Sequence, residues 1–323
     1  MAQQLFAYIG HKNGLADDSA LEIVTAAGKI YPDASVTAVI TGSGDELEAV
    51  SNAVATSYPE VWKFDTADLA YPNGEVLRNL LLNNIPADAI IVFAHDTLGM
   101  DLAPGLSIKL DSAFISDAVD IEGLEGNDLK VIRQEYSGMA STHVRCDISN
   151  GLVITCRPGS FQPVESKSAA GQIVDKSAEV GDLSAKRRFL EVVAAEVGDV
   201  DITKEDVLVS VGRGIEDVEN IEVAEELAET IGAVVSCSRP IVDAKWLEKS
   251  RQVGTSGQTV KPKVYLALGI SGSFQHLGGL KGSPFIVAVN KNPKAPIFQV
   301  ADVGVVQDLL EFVPTLTDKI KEG

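Results

Sequence analysis

The residues best suited to do chemistry lie in turns near the carboxyl-terminal end of the chain, and they are Arg213, Ser256, Ser271 and His276. Arginine and imidazole groups bind or polarise electron-rich ligands, and serine hydroxyls both donate and accept hydrogen bonds. Two of these turns follow the apolar runs 207–211 and 264–268, which are typical of strands buried in a parallel sheet. Because parallel strands end at one edge of their sheet, the spacing predicts a ligand site at that edge.

The segment 269–276 is the clearest part of this predicted site. It reads Gly-Ile-Ser-Gly-Ser-Phe-Gln-His directly after the apolar run 264–268. Its small residues let backbone N–H groups approach a ligand, and a helix can begin there. A second apolar run, residues 285–289, ends at Asn290. This succession of strand, glycine turn, helix and strand predicts a nucleotide-binding unit.

Length, charge and cysteine content narrow the class of protein. At 323 residues the chain exceeds the roughly 250–300 residues of a single core, so we expect two domains. A net charge of -19 argues against nucleic acid or an anionic membrane as a partner. No apolar run approaches the ~18–20 residues of a membrane helix, so we expect a protein that is not embedded in a membrane. Three cysteines are too few for a four-thiolate cluster and the four histidines lack metal-ligand spacing, so no metal is expected.

The first part of the chain predicts an α/β domain of Rossmann-like type, spanning residues 1–195. Apolar runs typical of parallel strands alternate with stretches of helical spacing. The predicted strands are 5–9, 36–41, 61–64 and 89–94, and the predicted helices are 16–30, 45–55 and 74–84. After Pro104 the connections shorten, which predicts antiparallel strands added to the sheet. These strands are 113–121, 129–135, 139–147 and 152–156, and residues 163–182 show only weak periodicity.

The second domain is predicted to span residues 196–323 as a doubly wound, mainly parallel sheet flanked by helices. A charged stretch around residues 186–188 precedes the boundary. The predicted strands are 207–211, 233–236, 264–268 and 285–289, and the predicted helices are 217–231 and 305–310. Ligands of such sheets bind outside the carboxyl ends of the strands, which agrees with the site above.

Four motifs in this second domain resemble those of the α subunit of electron transfer flavoproteins. Residues 212–214 read Gly-Arg-Gly, and residues 237–240 read Cys-Ser-Arg-Pro. Residues 253–258 read Val-Gly-Thr-Ser-Gly-Gln, and residues 271–276 match Ser-Gly-x-x-Gln-His. The resemblance is strong from about residue 208 onward and weaker before it. It departs from the family at Thr255, where the family has Gln, and at Gln258, where the family has Lys.

The resemblance implies non-covalent FAD bound in the second domain. It places Arg213 over the flavin ring, Ser256 within hydrogen-bond reach of flavin N5, and His276 beside the pyrimidine end as a cation or donor. It implies that Asn290, Asp308 and Leu309 contact the adenosine half. The full set of implied FAD-binding residues is Arg213, Ser238, Arg239, Val253, Gly254, Thr255, Ser256, Gly269, Ser271, Gly272, Ser273, Phe274, Gln275, His276, Asn290, Asp308 and Leu309.

The resemblance also implies an electron carrier without a substrate of its own, and therefore no catalytic residues. Such a protein accepts electrons from flavoprotein dehydrogenases, for example acyl-CoA or amine dehydrogenases. It passes them to a quinone oxidoreductase or another acceptor, and it is an obligate heterodimer in which the first domain packs against a β subunit. The β subunit carries AMP or, in bifurcating members, a second FAD. The chain begins without a basic signal region, so we expect a prokaryotic, cytoplasmic location.

Two other functions share the predicted fold class. A nicotinamide-dependent oxidoreductase would need a dinucleotide fingerprint, and the Gly-Ser-Gly of residues 42–44 lacks the third glycine. A non-redox nucleotide-binding module would leave Arg213 and His276 without a role. Bound flavin would distinguish the carrier from both alternatives by its visible absorption.

Overall fold

The computed structural model describes residues 3–32, 34–136, 140–164, 170–191, 200–282 and 284–322. The chain divides into two compact units, Met1–Glu191 and Val192–Gly323. The predicted boundary between residues 195 and 196 falls in a stretch outside the described residues.

The first unit is built on a nine-stranded sheet, counted over the described residues. The strands of the unit, including two outside this sheet, are β1 (Leu5–Tyr8), β2 (His11–Lys12), β3 (Leu15–Ala16), β4 (Val36–Gly42), β5 (Glu60–Asp65), β6 (Ile90–Ala94), β7 (Ala113–Glu125), β8 (Asp128–Glu135), β9 (Ala140–Asp147), β10 (Leu152–Cys156) and β11 (Gln172–Asp175). The sheet order is β11-β5-β4-β1-β6-β10-β7-β8-β9, and β2 pairs with β3 in a separate hairpin. Strands β11 to β7 pair in parallel, and β7, β8 and β9 pair antiparallel.

Helices cover both faces of this sheet. They are α1 (Ser19–Ile30), α2 (Gly44–Ala55), α3 (Gly74–Asn84) and α4 (Thr97–Leu110). Alternate residues of β1 point to opposite faces, so Leu5 and Phe6 belong to different core clusters. One cluster includes buried residues of α1 and α2, and the other includes buried residues of α3 and α4. The prediction of a mainly parallel α/β sheet with added antiparallel strands is therefore confirmed.

Three details of the sequence prediction for this unit were wrong. Helix α4 was missed because Pro104 lies inside it, where a missing N–H usually ends a helix. Strand β10 was expected to be antiparallel, but it inserts between β6 and β7 and pairs with both in parallel. Strand β11 pairs with β5 within the stretch 163–182, which has too few apolar residues to predict a strand. The start of the predicted strand 139–147 lies partly outside the described residues.

The second unit is built on a five-stranded, all-parallel sheet. Its strands are β12 (Val207–Val211), β13 (Val234–Cys237), β14 (Val264–Leu268), β15 (Phe285–Val289) and β16 (Val303–Val305). The order is β13-β12-β14-β15-β16, so the chain changes direction across the sheet between β12 and β14. This is the topological switch point, where ligands of open parallel sheets bind.

The two faces of the second sheet are covered differently. The helices of this unit are α5 (Ile221–Ile231), α6 (Arg239–Asp243), α7 (Phe274–Leu277) and α8 (Leu309–Glu322). Helices α5 and α8 pack on one face through residues such as Leu227 and Val313. Turns supply most of the other face, with Val253, Ile270 and Ile297 buried against Tyr265. The predicted helix 305–310 was wrong, because that stretch contains the end of β16, a turn and the start of α8.

No described helix is both long and apolar enough to cross a bilayer. Over the same ranges, no group of three or more His, Cys, Asp or Glu residues is placed to hold a metal ion.

Candidate functional site

A cleft of about 750 Å³ opens at the carboxyl edge of the second sheet, at the switch point between β12 and β14. Its volume lies in the range of roughly 300–1,000 Å³ that is usual for cofactor sites. Most of the predicted residues line it, namely Arg213, Ser238, Arg239, Val253, Gly254, Thr255, Ser256, Gly269, Ser271, Ser273, Gln275, His276 and Asn290. The motifs, far apart in sequence, therefore meet in one place.

Glycines are required where the turn after β12 meets the turn after β14. A Cβ on Gly214 would lie 2.7 Å from the Cα of Gly269, and one on Gly212 would lie 2.5 Å from the Gly269 carbonyl oxygen. Gly269 itself has a φ of 65°, in the left-handed region. The two turns therefore touch backbone to backbone, and this contact positions Arg213 beside the segment that carries Ser271.

The turn 253–258 forms another wall and is tied at its base. Val253 donates its N–H to the Cys237 carbonyl at 2.8 Å, and Gly254 donates to Gln258 at 3.2 Å. Gly254 has a φ of 140°, and a Cβ there would lie 2.9 Å from the Gln275 carbonyl oxygen. The turn thus packs closely on α7, which brings the Ser256 region next to the His276 region.

Gln252 lines the cleft although the motifs did not single it out. It is only 4% exposed, and its Nε2 donates to the Ser256 Oγ at 2.9 Å. It immediately precedes the matched segment 253–258, so that proximity was the one signal in the sequence. The other lining residues that the prediction missed are Gly214, Glu216, Pro240, Asp243, Ile270, Asn292, Ala295 and Pro296.

His276 is 5% exposed and pairs with a buried tyrosine. The distance between its Nε2 and the Tyr265 hydroxyl is 2.8 Å, and its Nδ1 completes no hydrogen bond of ordinary geometry. Burial lowers the His276 pKa to about 4, and the nearby Val253 carbonyl offsets this only in part. Burial therefore disfavours the cationic form of this imidazole.

Buried hydroxyls surround the Tyr265 phenol. Ser210 and Ser236 are register partners on β12 and β13, both are fully buried, and neither completes a hydrogen bond of ordinary geometry. They face Tyr265, whose pKa is raised above its usual range by burial. The phenol therefore stays protonated, and a small polar cluster extends from the core to His276.

The charged residues at the cleft differ in how far they are neutralised. Arg213 is exposed and has no ion-pair partner among the residues described, so its charge is available to a ligand. The Arg239 Nε lies 3.4 Å from the Asp243 carboxylate, in a solvent-exposed pair. Lys291 lies 2.7 Å from Glu216 and 2.9 Å from Asp308, outside the cleft wall.

Four predicted residues lie outside the cleft wall. Gly272 packs against Ile297, Phe274 is 53% exposed and Leu309 is buried in the core. Asp308 accepts a hydrogen bond from the Leu310 N–H at the start of α8 and pairs with Lys291. The motifs identified these four positions, but in the structure none of them lines the cleft.

The donor set of the cleft fits a flavin dinucleotide. An uncompensated Arg213 guanidinium and the exposed hydroxyls of Ser256, Ser271 and Ser273 can donate to the carbonyls and ring nitrogens of an isoalloxazine. Close glycine packing leaves the wall without side chains that would fill the space. With FAD bound, these groups would bind the ring and adjust its electron affinity.

Comparison with known proteins gives the same result along the whole chain. The model of the electron transfer flavoprotein FAD-binding domain matches residues 201–281, and that of the electron transfer flavoprotein domain matches residues 6–181. The electron transfer flavoprotein subunit alpha of Bacillus subtilis is 34% identical, over 96% of this chain and 95% of its own. That of Thermoanaerobacterium thermosaccharolyticum is 30% identical, over 99% and 98%. The mitochondrial subunit alpha of Arabidopsis thaliana is 33% identical, over 97% and 88%.

The chain belongs to the electron transfer flavoproteins: it is an α subunit, the FAD-binding carrier of electrons between dehydrogenases and their acceptors.

Proposed function

We propose that the cleft of the second unit holds FAD non-covalently and that the lining residues predicted from the motifs bind it. The observation that carries the proposal is the convergence of three matched turns, around residues 213, 254 and 275, on one cleft. FAD supplies the one- and two-electron chemistry, and the protein supplies binding, orientation and electrostatics.

Each side chain has a distinct proposed role at the flavin. Arg213 provides a fixed positive charge, because it is exposed and unpaired in the described part of the unit. Ser256 donates its hydroxyl proton to N5, and His276 lies beside the pyrimidine end. Asn290 donates to the Ile270 carbonyl at 2.9 Å and accepts from the Asn292 N–H at 2.9 Å, so it shapes the adenosine end. Asp308 and Leu309 support that end.

We also propose that the first unit packs against a β subunit, which carries AMP or a second FAD. The three relatives described above are named as subunits, which supports a heterodimer. The antiparallel edge of the first sheet offers surface for such a partner, since β9 is mostly exposed and Tyr136 is 81% exposed beside it. The proposed electron donors are flavoprotein dehydrogenases such as acyl-CoA or amine dehydrogenases. The proposed acceptor is a quinone oxidoreductase or its equivalent, and the proposed compartment is the cytoplasm.

Co-expression with a β subunit tests this proposal. The purified complex should contain FAD on this chain, with the visible absorption of a flavin, and the chain alone should bind FAD poorly or aggregate. Arg213→Ala and Ser256→Ala should change the midpoint potential of the bound FAD. A fully flavinylated monomer made without a partner would refute the obligate heterodimer, and unchanged potentials in both variants would refute the assigned site.

A further inference from the structure

Gln252 is distinguished by its contact with one hydroxyl of the cleft. Five hydroxyl-bearing residues line the cleft: Thr255, Ser238, Ser256, Ser271 and Ser273. In the described part of the unit, Ser256 alone among them is hydrogen-bonded to another side chain, the Gln252 carboxamide. A buried amide therefore holds the hydroxyl that is proposed to face flavin N5.

The chemistry of this contact fixes the direction of the Ser256 proton. A carboxamide nitrogen only donates, so the Ser256 oxygen accepts from Gln252 Nε2. The single hydroxyl proton of Ser256 is then free for an acceptor in the cleft. A serine without this contact would rotate among three staggered positions and would act as donor or acceptor in turn.

Gln252 is itself held firmly. Its N–H donates to the Lys249 carbonyl at 3.1 Å, and its own carbonyl accepts from the Gln258 N–H at 2.6 Å. It also bridges to Cys237 at the end of β13. Ser256, by contrast, lies exposed at the tip of the turn that Gln252 and Gln258 close. The contact thus connects a buried, hydrogen-bonded residue next to the end of β13 to an exposed turn.

We infer that Gln252 is a positioning residue that orients the Ser256 hydroxyl as a hydrogen-bond donor to flavin N5 and thereby raises the electron affinity of FAD. This inference rests on the proposed contact between Ser256 and N5. Its effect passes entirely through Ser256, and this separates it from a merely structural role.

A double-mutant cycle in the complete FAD-loaded heterodimer tests the inference. Gln252→Met keeps the shape of the side chain and removes the donor, and Ser256→Ala removes the hydroxyl. The matched control is Gln258→Met in the same turn, because the Gln258 side chain lies outside the cleft wall. The measurements are the one-electron potential of FAD and the 15N chemical shift of FAD labelled at N5, which reports hydrogen bonding at that atom.

Gln252→Met should shift the one-electron equilibrium toward oxidised FAD about tenfold, or about 59 mV, and should move the N5 resonance. In the Ser256→Ala background the same change should do neither, and Gln258→Met should leave both values unchanged. Gln252→Glu provides a second variant if Gln252→Met does not retain FAD. Its carboxylate would accept the Ser256 proton, so the N5 resonance should move in the same direction.

Two results overturn the inference in distinguishable ways. If Ser256→Ala changes both values but Gln252→Met and Gln252→Glu do not, Gln252 has no positioning role and the proposed site stands. If Ser256→Ala is also silent, the proposed contact with N5 fails together with the inference. Equal effects of Gln252→Met with and without Ser256 would mean that Gln252 acts on the fold and not through the hydroxyl.

Discussion

Acidification should destabilise the second unit through His276. The ring is only 5% exposed, and burial lowers its pKa from the usual 6.5 to about 4. The groups that face it are the Tyr265 phenol on β14 and the Val253 carbonyl, and no charged group contributes to its shift. Protonation would therefore place an uncompensated cation in the core.

The sign of the effect follows from the depressed pKa of a base. The unfolded chain binds a proton on this histidine below about pH 6.5, while the folded chain resists it until about pH 4. The stabilisation is complete above the unfolded pKa and is lost as the pH falls toward the folded one. The free energy of unfolding should fall by roughly 2 kcal/mol between about pH 7 and about pH 4.5, and by at most ~3 kcal/mol at lower pH.

An NMR titration of the histidine Cε1–H resonances in the FAD-free protein measures this directly. The chain has four histidines, and His276→Gln assigns the resonance. We expect a pKa of about 4, and we expect His276→Gln to lose less unfolding free energy than the parent on acidification. A His276 pKa near 6.5, or parallel acid losses in parent and variant, would refute the reasoning.

Three further changes test other parts of the site. Gly214→Ala places a Cβ 2.7 Å from the Cα of Gly269, so it should lower the free energy of unfolding by about 1–3 kcal/mol, measured by thermal melting, and should lose FAD. The control is Gly28→Ala, which has open space around it and should not destabilise the protein. Arg213→Ala should lower the one-electron potential of FAD by roughly 60–130 mV in a reductive titration, and no change would remove it from the flavin. Gln258→Lys adds a charge outside the cleft wall and should raise the one-electron potential of FAD by at most about 40 mV. High salt should abolish this increase, and an equal increase at low and high salt would contradict the reasoning.

Three strands of the second unit were predictable in full because they are mostly buried on both faces. The predicted strands 207–211, 264–268 and 285–289 have the bounds of β12, β14 and β15, because their apolar runs are interrupted only by Ser210. Which strands pair with each other is harder to predict from the sequence than whether a strand forms. The position of β10 between β6 and β7 depends on contacts distant in sequence, and nothing in residues 152–156 themselves distinguishes a parallel from an antiparallel neighbour.

The site was predictable at the level of turns and less so at the level of side chains. Motifs identified the exposed residues of the cleft, such as Arg213 and Ser256, because turns after strands meet at one edge. The buried residues that contact motif residues were not predicted: Gln252 lies in a polar turn and Tyr265 lies within the apolar run 264–268, and neither position has a characteristic spacing. Only folded geometry shows that each touches a residue proposed to contact the flavin.

The two contacts have a common physical consequence for an electron carrier. Gln252 with Ser256 and Tyr265 with His276 each join a buried polar group to a group at the cleft. Both pairs are neutral, so they stabilise negative charge through oriented dipoles and need little rearrangement when an electron arrives. Arg213 is the one unpaired formal charge among the described residues that line the cleft. Such preorganised donors suit a protein that binds no substrate of its own, because the redox state of FAD is what it must control.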